Sequence, residues 1–294
     1  MLHLVDASYF IFRAYYSVAP DMTGRDGLAV NALYGYARFL GDLLEQARPV
    51  HAAAAFDESL SQSFRNQIYP AYKANREPTP PDLGHQFALC REVTRLLGVP
   101  QYASAEYEAD DLIGALAARM RGHGFASVLV TRDKDLAQLV HDGDHFWDFA
   151  GDVRLGYGDI KGHFGVRPEC IADFLALTGD AVDNIPGVPG IGRKTAAALF
   201  AHFDSLDDLY ARLPEVRGLP IRGAARVADL LGAHREAAYL ARQLTRIACD
   251  LPLEVAPEAL ERKAPDLPAL EEFYDRAGFG SMLRQQARRI ASRM

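Results

Sequence analysis

Leu2-His3-Leu4-Val5-Asp6 is a short apolar run that stops on a carboxylate. The same phrase returns as His51-Ala52-Ala53-Ala54-Ala55-Phe56-Asp57, and as Ser127-Val128-Leu129-Val130-Thr131 leading to Asp133 and Asp135. Such runs read as strands buried on both faces of a parallel sheet, each with an acid at its C-terminal end. Working outward, Asn31 to Ala47, His85 to Leu97 and Asp110 to Arg121 carry apolar residues at i, i+3 and i+4, the spacing of amphipathic helices. Alternating strands and helices predict an α/β core over residues 1–160, with a mostly parallel central sheet flanked by helices. Ligands of such a sheet bind in the crevice at the carboxyl ends of its strands.

Beyond about Ile160 the texture changes to short helices punctuated by Gly and Pro, from Arg167-Pro168 through Asn184-Ile185-Pro186-Gly187-Val188-Pro189-Gly190-Ile191-Gly192. A second, all-helical region is expected over 161–294, with a hairpin at about 183–200. Arg76 to Asp82 is Pro-rich and reads as an extended loop. With 294 residues, 49% of them hydrophobic, the chain can bury one large core or two modest ones. No apolar run is long enough to span a bilayer, and Asp6 interrupts the stretch where an export signal would be continuous, so a cytoplasmic protein is expected, with a monomer as the default. Cys90, Cys170 and Cys249 are odd in number, far apart and without a C-x-x-C pairing, which points to free thiols rather than disulfides or a cysteine zinc site.

The acids that stand out are Asp6, Asp57, Glu108, Asp110, Asp111, Asp133, Asp135, Asp180 and Asp183, scattered in sequence but repeatedly at strand ends or helix starts. Taken singly, each has a bland reading. Glu108, Asp110 and Asp111 would be caps or dipole partners of a helix, Asp6 a cap of the next helix, and Thr131 to Asp135 a solvated turn. Taken together they predict convergence in space. Unscreened carboxylates a few ångströms apart raise one another's pKa until several take up protons, and hard divalent ions with oxygen ligands, Mg²⁺ or Mn²⁺, relieve that repulsion. No His sits in the pattern, which disfavours zinc. The net charge of −7 argues naively against a nucleic-acid partner, but setting aside the acids of one metal site leaves the remaining charges near balance, so basic faces can form locally.

Gly187 to Gly192 followed by Arg193-Lys194-Thr195 reads as a tight Gly-rich hairpin opening a helix, where backbone N–H groups can hold a phosphate. An ATPase loop of the form G-x-x-x-x-G-K-[ST] is the rival; Arg193 intrudes before Lys194-Thr195, and no strand precedes. A purely structural turn is the other alternative. Phe64-Arg65-Asn66-Gln67-Ile68-Tyr69-Pro70-Ala71-Tyr72-Lys73-Ala74-Asn75-Arg76 interleaves aromatics with cations, which suits single-stranded nucleic acid, although a surface helix with snorkelling side chains fits the same letters.

Leu4-Val5-Asp6 with Arg13, Phe56-Asp57, Tyr107-Glu108-Ala109-Asp110-Asp111, Thr131-Arg132-Asp133-Lys134-Asp135 and Leu177-Thr178-Gly179-Asp180-Ala181-Val182-Asp183-Asn184-Ile185-Pro186-Gly187 resemble the ordered motifs of the 5′ nuclease, or flap endonuclease, family. The resemblance runs from Leu2 to about Leu253 and is greatest to the N-terminal 5′-3′ exonuclease domain of bacterial DNA polymerase I. It implies a PIN-like nuclease core, a helical arch or gateway at about 62–84, and a helix-hairpin-helix at about 183–200. All nine acids then match the metal site, with Asp6, Asp57, Glu108 and Asp110 nearer one ion, Asp133, Asp135 and Asp180 nearer another, and Asp111 and Asp183 acting at longer range. Lys73 and Arg76 match cations on the scissile phosphate, and Tyr72 matches a stacking aromatic. Arg13 and Arg65 are further DNA contacts, and Gly187, Gly190, Gly192, Arg193, Lys194 and Thr195 form the hairpin grip, where K⁺ commonly binds.

The implied reaction is divalent-metal hydrolysis of DNA phosphodiester bonds from a free 5′ end or at a 5′ flap, with two or more ions and 5′-phosphorylated products. RNA–DNA hybrids are a further substrate, and the chain reads as an independent exonuclease or a clipped polymerase domain. A DNA-binding repair scaffold with an idle site is the alternative from another class, against which the full set of acids counts. A PIN-type ribonuclease is the second, against which the length and the hairpin count.

Overall fold

The computed structural model describes residues 1–58 and 63–293. Six strands, β1 (Leu2–Asp6), β2 (His51–Asp57), β3 (Gln101–Ser104), β4 (Ser127–Val130), β5 (His145–Asp148) and β6 (Val153–Gly156), form one sheet in the order β3-β2-β1-β4-β5-β6. All neighbours are parallel except β6, which returns antiparallel to β5. The alternation of side chains along each strand divides the core in two. Leu2, Leu4, Ala53, Ala55 and Leu129 point to one face, and Val5, Ala52, Ala54, Phe56, Val128 and Val130 to the other.

On the second face lie α1 (Ala7–Ser17), α2 (Asn31–Ala47) and α4 (Pro81–Leu96), and between β2 and α4 comes the short α3 (Phe64–Ile68). The first face carries α5 (Ala109–Arg121), whose Leu112, Ile113 and Leu116 join a core continuous with the helical unit. That unit contains α6 (Tyr157–Phe164), α7 (Ile171–Thr178), α8 (Arg193–Leu199), α9 (Leu206–Ala211), α10 (Ala224–Ala233) and α11 (Arg235–Thr245).

The expected helical region 161–294 is corrected at its end. Helices α12 (Leu267–Arg276) and α13 (Ser281–Ala291) return to the α/β core, where Leu270, Phe273, Tyr274, Leu283 and Ile290 pack with Leu33, Leu40 and Leu43 of α2. The apolar stripe of α13 lies on α2 and that of α12 on α13 and α4, and Gly41 leaves the space that the Gln286 side chain fills, since a Cβ there would meet Gln286 Oε1 at 2.2 Å. In the arch segment expected at 62–84, Gln62 lies outside the described residues; the rest consists of α3, turns from Pro70 to Arg76, and the start of α4. The three cysteines are free thiols, as read. Among the described residues no helix is long and apolar enough to cross a membrane.

Candidate active site

The sheet register sets the site. Asp6 on β1 pairs with Ala55, so Asp57 stands two residues further along the adjacent strand, and β4 delivers Thr131 and Asp133 on the other side. Asp6 keeps the bland role as well, because its Oδ1 accepts from Tyr9 N–H at 3.0 Å and caps α1. Its Oδ2 accepts from Thr131 Oγ1 at 2.8 Å, while Thr131 Oγ1 accepts from Asp133 N–H at 2.9 Å. Asp57 is fixed by Ser8 Oγ, which accepts its N–H, and by Ala109 N–H, which donates to its Oδ1 at 2.8 Å. The last bond brings the N-terminus of α5, with Glu108 as its cap and Asp110 in its first turn, to the end of β2.

Loss of water and mutual repulsion dominate the electrostatics. Burial, then the neighbouring Asp133 and Asp57, push Asp6 up to about 7, against the capping bond from Tyr9. Asp135 is also pushed up to about 7, by burial and then by Asp133. Asp110 is raised well above the carboxylate range by burial and by Asp133, Asp6 and Asp57. Burial raises Asp57 too, with Lys73 opposing. Such a group stays ionised at neutral pH only beside cations.

The donor set fits hard divalent ions: it is all oxygen, and Asp135 Oδ1 is buried without a hydrogen bond. Among the described residues no three acids, histidines or cysteines close around one point. Two lysines stand among the acids instead. Lys73 Nζ lies 2.7 Å from Glu108 Oε1 and 3.9 Å from Asp183 Oδ2, and Lys134 Nζ lies 2.7 Å from Asp180 Oδ2. Burial alone would raise Asp180, yet Lys134 holds it below the usual range.

Lys73 is delivered by a turn docked on the loop after α7. Its N–H donates to Asp183 O at 2.9 Å, Asn184 Nδ2 donates to Ala71 O at 2.6 Å, and Asn75 Nδ2 donates to Ala181 O at 2.9 Å. Lys73 and Asn184 both have φ of 55°, a left-handed conformation that asparagine tolerates but lysine rarely adopts, so at Lys73 the neighbouring contacts hold it. Arg76, partly exposed at the rim, reaches Asp183 Oδ1 at 2.5 Å.

Three assignments are corrected here. Arg65 is 2% exposed and cannot meet DNA: its five N–H donors go to Asp111 Oδ1 and Oδ2 (both 2.7 Å), Glu108 Oε2 (3.3 Å), Leu244 O (2.9 Å) and Arg246 O (3.0 Å). Asp111, wholly buried, has its remaining acceptor capacity taken by the N–H groups of Glu108 and Ala248, so it is the partner of Arg65 and not an ion ligand. Tyr72 is 3% exposed among Ala176, Ile185 and Leu244, with its hydroxyl donating to Glu108 and Asp183, so its ring offers no face for a base. Sequence reasoning gave no role to Thr131, Lys134 or Asn184, although all three lie inside the quoted motifs.

Arg13 is exposed on α1, facing a groove bordered by Arg38, Phe39 and Phe149. The hairpin between α7 and α8 is built as expected from its glycines. Gly187 packs so tightly that a Cβ would meet Gly179 N and Thr178 C at 2.4 Å, and Gly190 takes a φ of 83°. Gly192 caps α8 in open space, with Arg193 and Lys194 exposed and Thr195 half-buried beside it. A separate cleft of about 520 Å³, lined by residues of α5, α7 and α11, contains none of the nine acids.

Two family models match the chain: the 5′-3′ exonuclease N-terminal resolvase-like domain over residues 1–165, and the 5′-3′ exonuclease C-terminal SAM fold over 166–268. DNA polymerase I of Rhizobium leguminosarum is 38% identical over 293 residues, covering 97% of this chain and 28% of that protein; that of Pseudomonas aeruginosa is 39% identical over 283 residues, covering 96% and 31%. The chain thus spans less than a third of the length of these relatives. Among solved structures, the T5 5′-exonuclease with divalent zinc ions bound aligns with a TM-score of 0.67 at 21% identity, over 99% of this chain and 98% of that one. The bacteriophage T5 flap endonuclease in a pseudo-enzyme-product complex with DNA and metal ions aligns with a TM-score of 0.65 at 21% identity, over 99% of each chain.

Proposed function

Because this chain belongs to the 5′-3′ exonuclease family, we propose that it hydrolyses DNA phosphodiester bonds from a free 5′ end or at a 5′ flap junction, releasing 5′-phosphorylated products and leaving a 3′-hydroxyl. The observation that carries this reading is the crevice at the carboxyl ends of β1, β2 and β4, where Asp6, Asp57, Asp110 and Asp135 are driven toward neutrality by loss of water and, after it, by neighbouring carboxylates. Asp6, Asp57, Glu108 and Asp110 would hold one divalent ion, Mg²⁺ or Mn²⁺, and Asp133, Asp135 and Asp180 another; when bound, such ions lower the pKa of water and stabilise the attacking and leaving oxygens.

The chain's own groups do the rest. Lys73 and Arg76 put positive charge at the crevice, where the transition state gathers negative charge. Asp183 acts through those two cations, which it holds. Arg13 meets phosphate along α1, and Gly190, Gly192, Arg193, Lys194 and Thr195 grip the duplex backbone away from the cut, with K⁺ at the hairpin. Gly187 positions that hairpin. Recognition through backbone leaves specificity to shape and to the free 5′ end, so RNA–DNA hybrids are also substrates. The protein acts as a monomer in the cytoplasm, in DNA replication and repair.

The test is cleavage of a 5′-flap duplex, a blunt duplex and a single strand, each labelled at the 3′ end, with Mg²⁺, Mn²⁺ or Zn²⁺ and with EDTA. Ion-dependent cutting at the junction, or stepwise from the 5′ end, is expected. Tight flap binding without cutting in any ion would replace this reading with that of an idle DNA-binding scaffold.

A further inference from the structure

We propose that Lys134 is a resident counter-ion for the second group of site acids, standing between Asp135 and Asp180 where a divalent ion would bind and competing with it. Its Nζ lies 2.7 Å from Asp180 Oδ2 and 3.3 Å from Asp135 Oδ1, so one ammonium spans two carboxylates that lie 45 positions apart in the chain. The local fold sets it there. Lys134 opens a 3₁₀ turn (Lys134–Leu139) capped by Asp133, which accepts from Asp135 N–H at 2.9 Å. Its stem borders a small apolar recess lined by Phe164, Val166, Ile171, Phe174 and Leu175, which supports the methylenes while the charged end reaches the acids.

The substitution is incomplete in one respect. An ammonium has three directed donors, and here it makes a hydrogen bond to Asp180 while Asp135 Oδ1 is left buried with none. An ion with oxygen ligands on all sides would satisfy both oxygens. Entry of the ion therefore expels the ammonium. Lys134 is already 39% exposed, so the displaced ammonium has solvent to enter. This rests on the reading of these acids as ion ligands.

The experiment titrates Mn²⁺ into the full, DNA-free protein and counts free ion by electron paramagnetic resonance, for wild type, Lys134→Met, Lys134→Gln and Lys134→Arg. The weaker ion should tighten by about tenfold in the Met and Gln variants, a scale typical of changes beside a metal ligand. The Arg variant, which keeps the charge, should follow wild type. Thermal unfolding adds a second readout: Mn²⁺ should raise the midpoint of Lys134→Met more than that of wild type, relative to EDTA. Wild type that binds Mn²⁺ with isotherms matched by the Met and Gln variants would overturn this inference alone. Wild type that takes up no Mn²⁺ would overturn it together with the metal reading.

Discussion

Replacing Arg65 by methionine separates two accounts of the aromatic and cationic segment after β2. If Arg65 were a DNA contact, Arg65→Met would weaken binding and reduce its salt dependence by one phosphate, with stability untouched. The structure predicts the opposite. Methionine matches the stem but removes all five N–H donors. The Asp111 carboxylate, 0% exposed, then keeps only the N–H groups of Glu108 and Ala248, and the carbonyls of Leu244 and Arg246 lose their partner. Removing one member of a buried ion pair costs about 3–5 kcal/mol, a large part of the roughly 5–15 kcal/mol that holds a domain folded. Urea unfolding in EDTA, extrapolated linearly, measures the loss, and a drop of roughly 5–8 °C in the melting midpoint accompanies it. Arg65→Met/Asp111→Leu should recover at least about 2 kcal/mol of the summed single losses, because the unpaired charge is gone. A single-variant loss under about 1 kcal/mol, or strict additivity in the cycle, would show that the guanidinium is not a buried clasp.

Three further outcomes follow from the geometry. Lys73→Ala should lower single-turnover flap cleavage by about 10²–10³ while anisotropy shows nearly unchanged duplex binding, since the hairpin is untouched; a matching loss of binding would place Lys73 in the grip instead of the crevice. Gly187→Ala should cost on the order of 1–3 kcal/mol in urea, because its Cβ would meet the backbone of Gly179 and Thr178 at 2.4 Å and neither can rotate away; a neutral result would mean that the hairpin yields. His3 is held down from 6.5 to about 4 by burial, with Arg154 adding to it. Its neutral form contributes stability that is complete above 6.5 and is lost as pH falls toward 4, about 3 kcal/mol in all. His3→Gln should flatten the stability profile across that window, and an unchanged acid limb would remove His3 from the account.

Strands β1, β2 and β4 were legible because short, mostly apolar runs ended at or just before an acid, and the sheet then brought those ends together by pairing alone, Asp6 with Ala55 and Val5 with Val130; β3, β5 and β6, four residues each and mixed in polarity, went unread. Helix geometry hid the rest. Asp110 and Asp111 are adjacent letters, but about 100° of rotation per residue sends their side chains to different faces, one into the crevice and one toward Arg65. Nothing local marks that face, since the guanidinium comes from 46 positions away and its carbonyl partners from 179 and 181. Tyr72 misled for the same reason: an aromatic beside cations suits a base until a second unit supplies Ile185 and Leu244 to cover it. These misreadings share a physical cause. Arg65, Tyr72, Lys73 and Asn75 join the segment after β2 to the loop after α7 and to the C-terminal end of α11, so the residues that resembled a DNA surface are the seam between the α/β core and the helical unit. Because Lys73 sits on that seam, its place beside Glu108 depends on how the turn after α3 packs against the loop after α7, a contact between two units that no local stretch of sequence could announce.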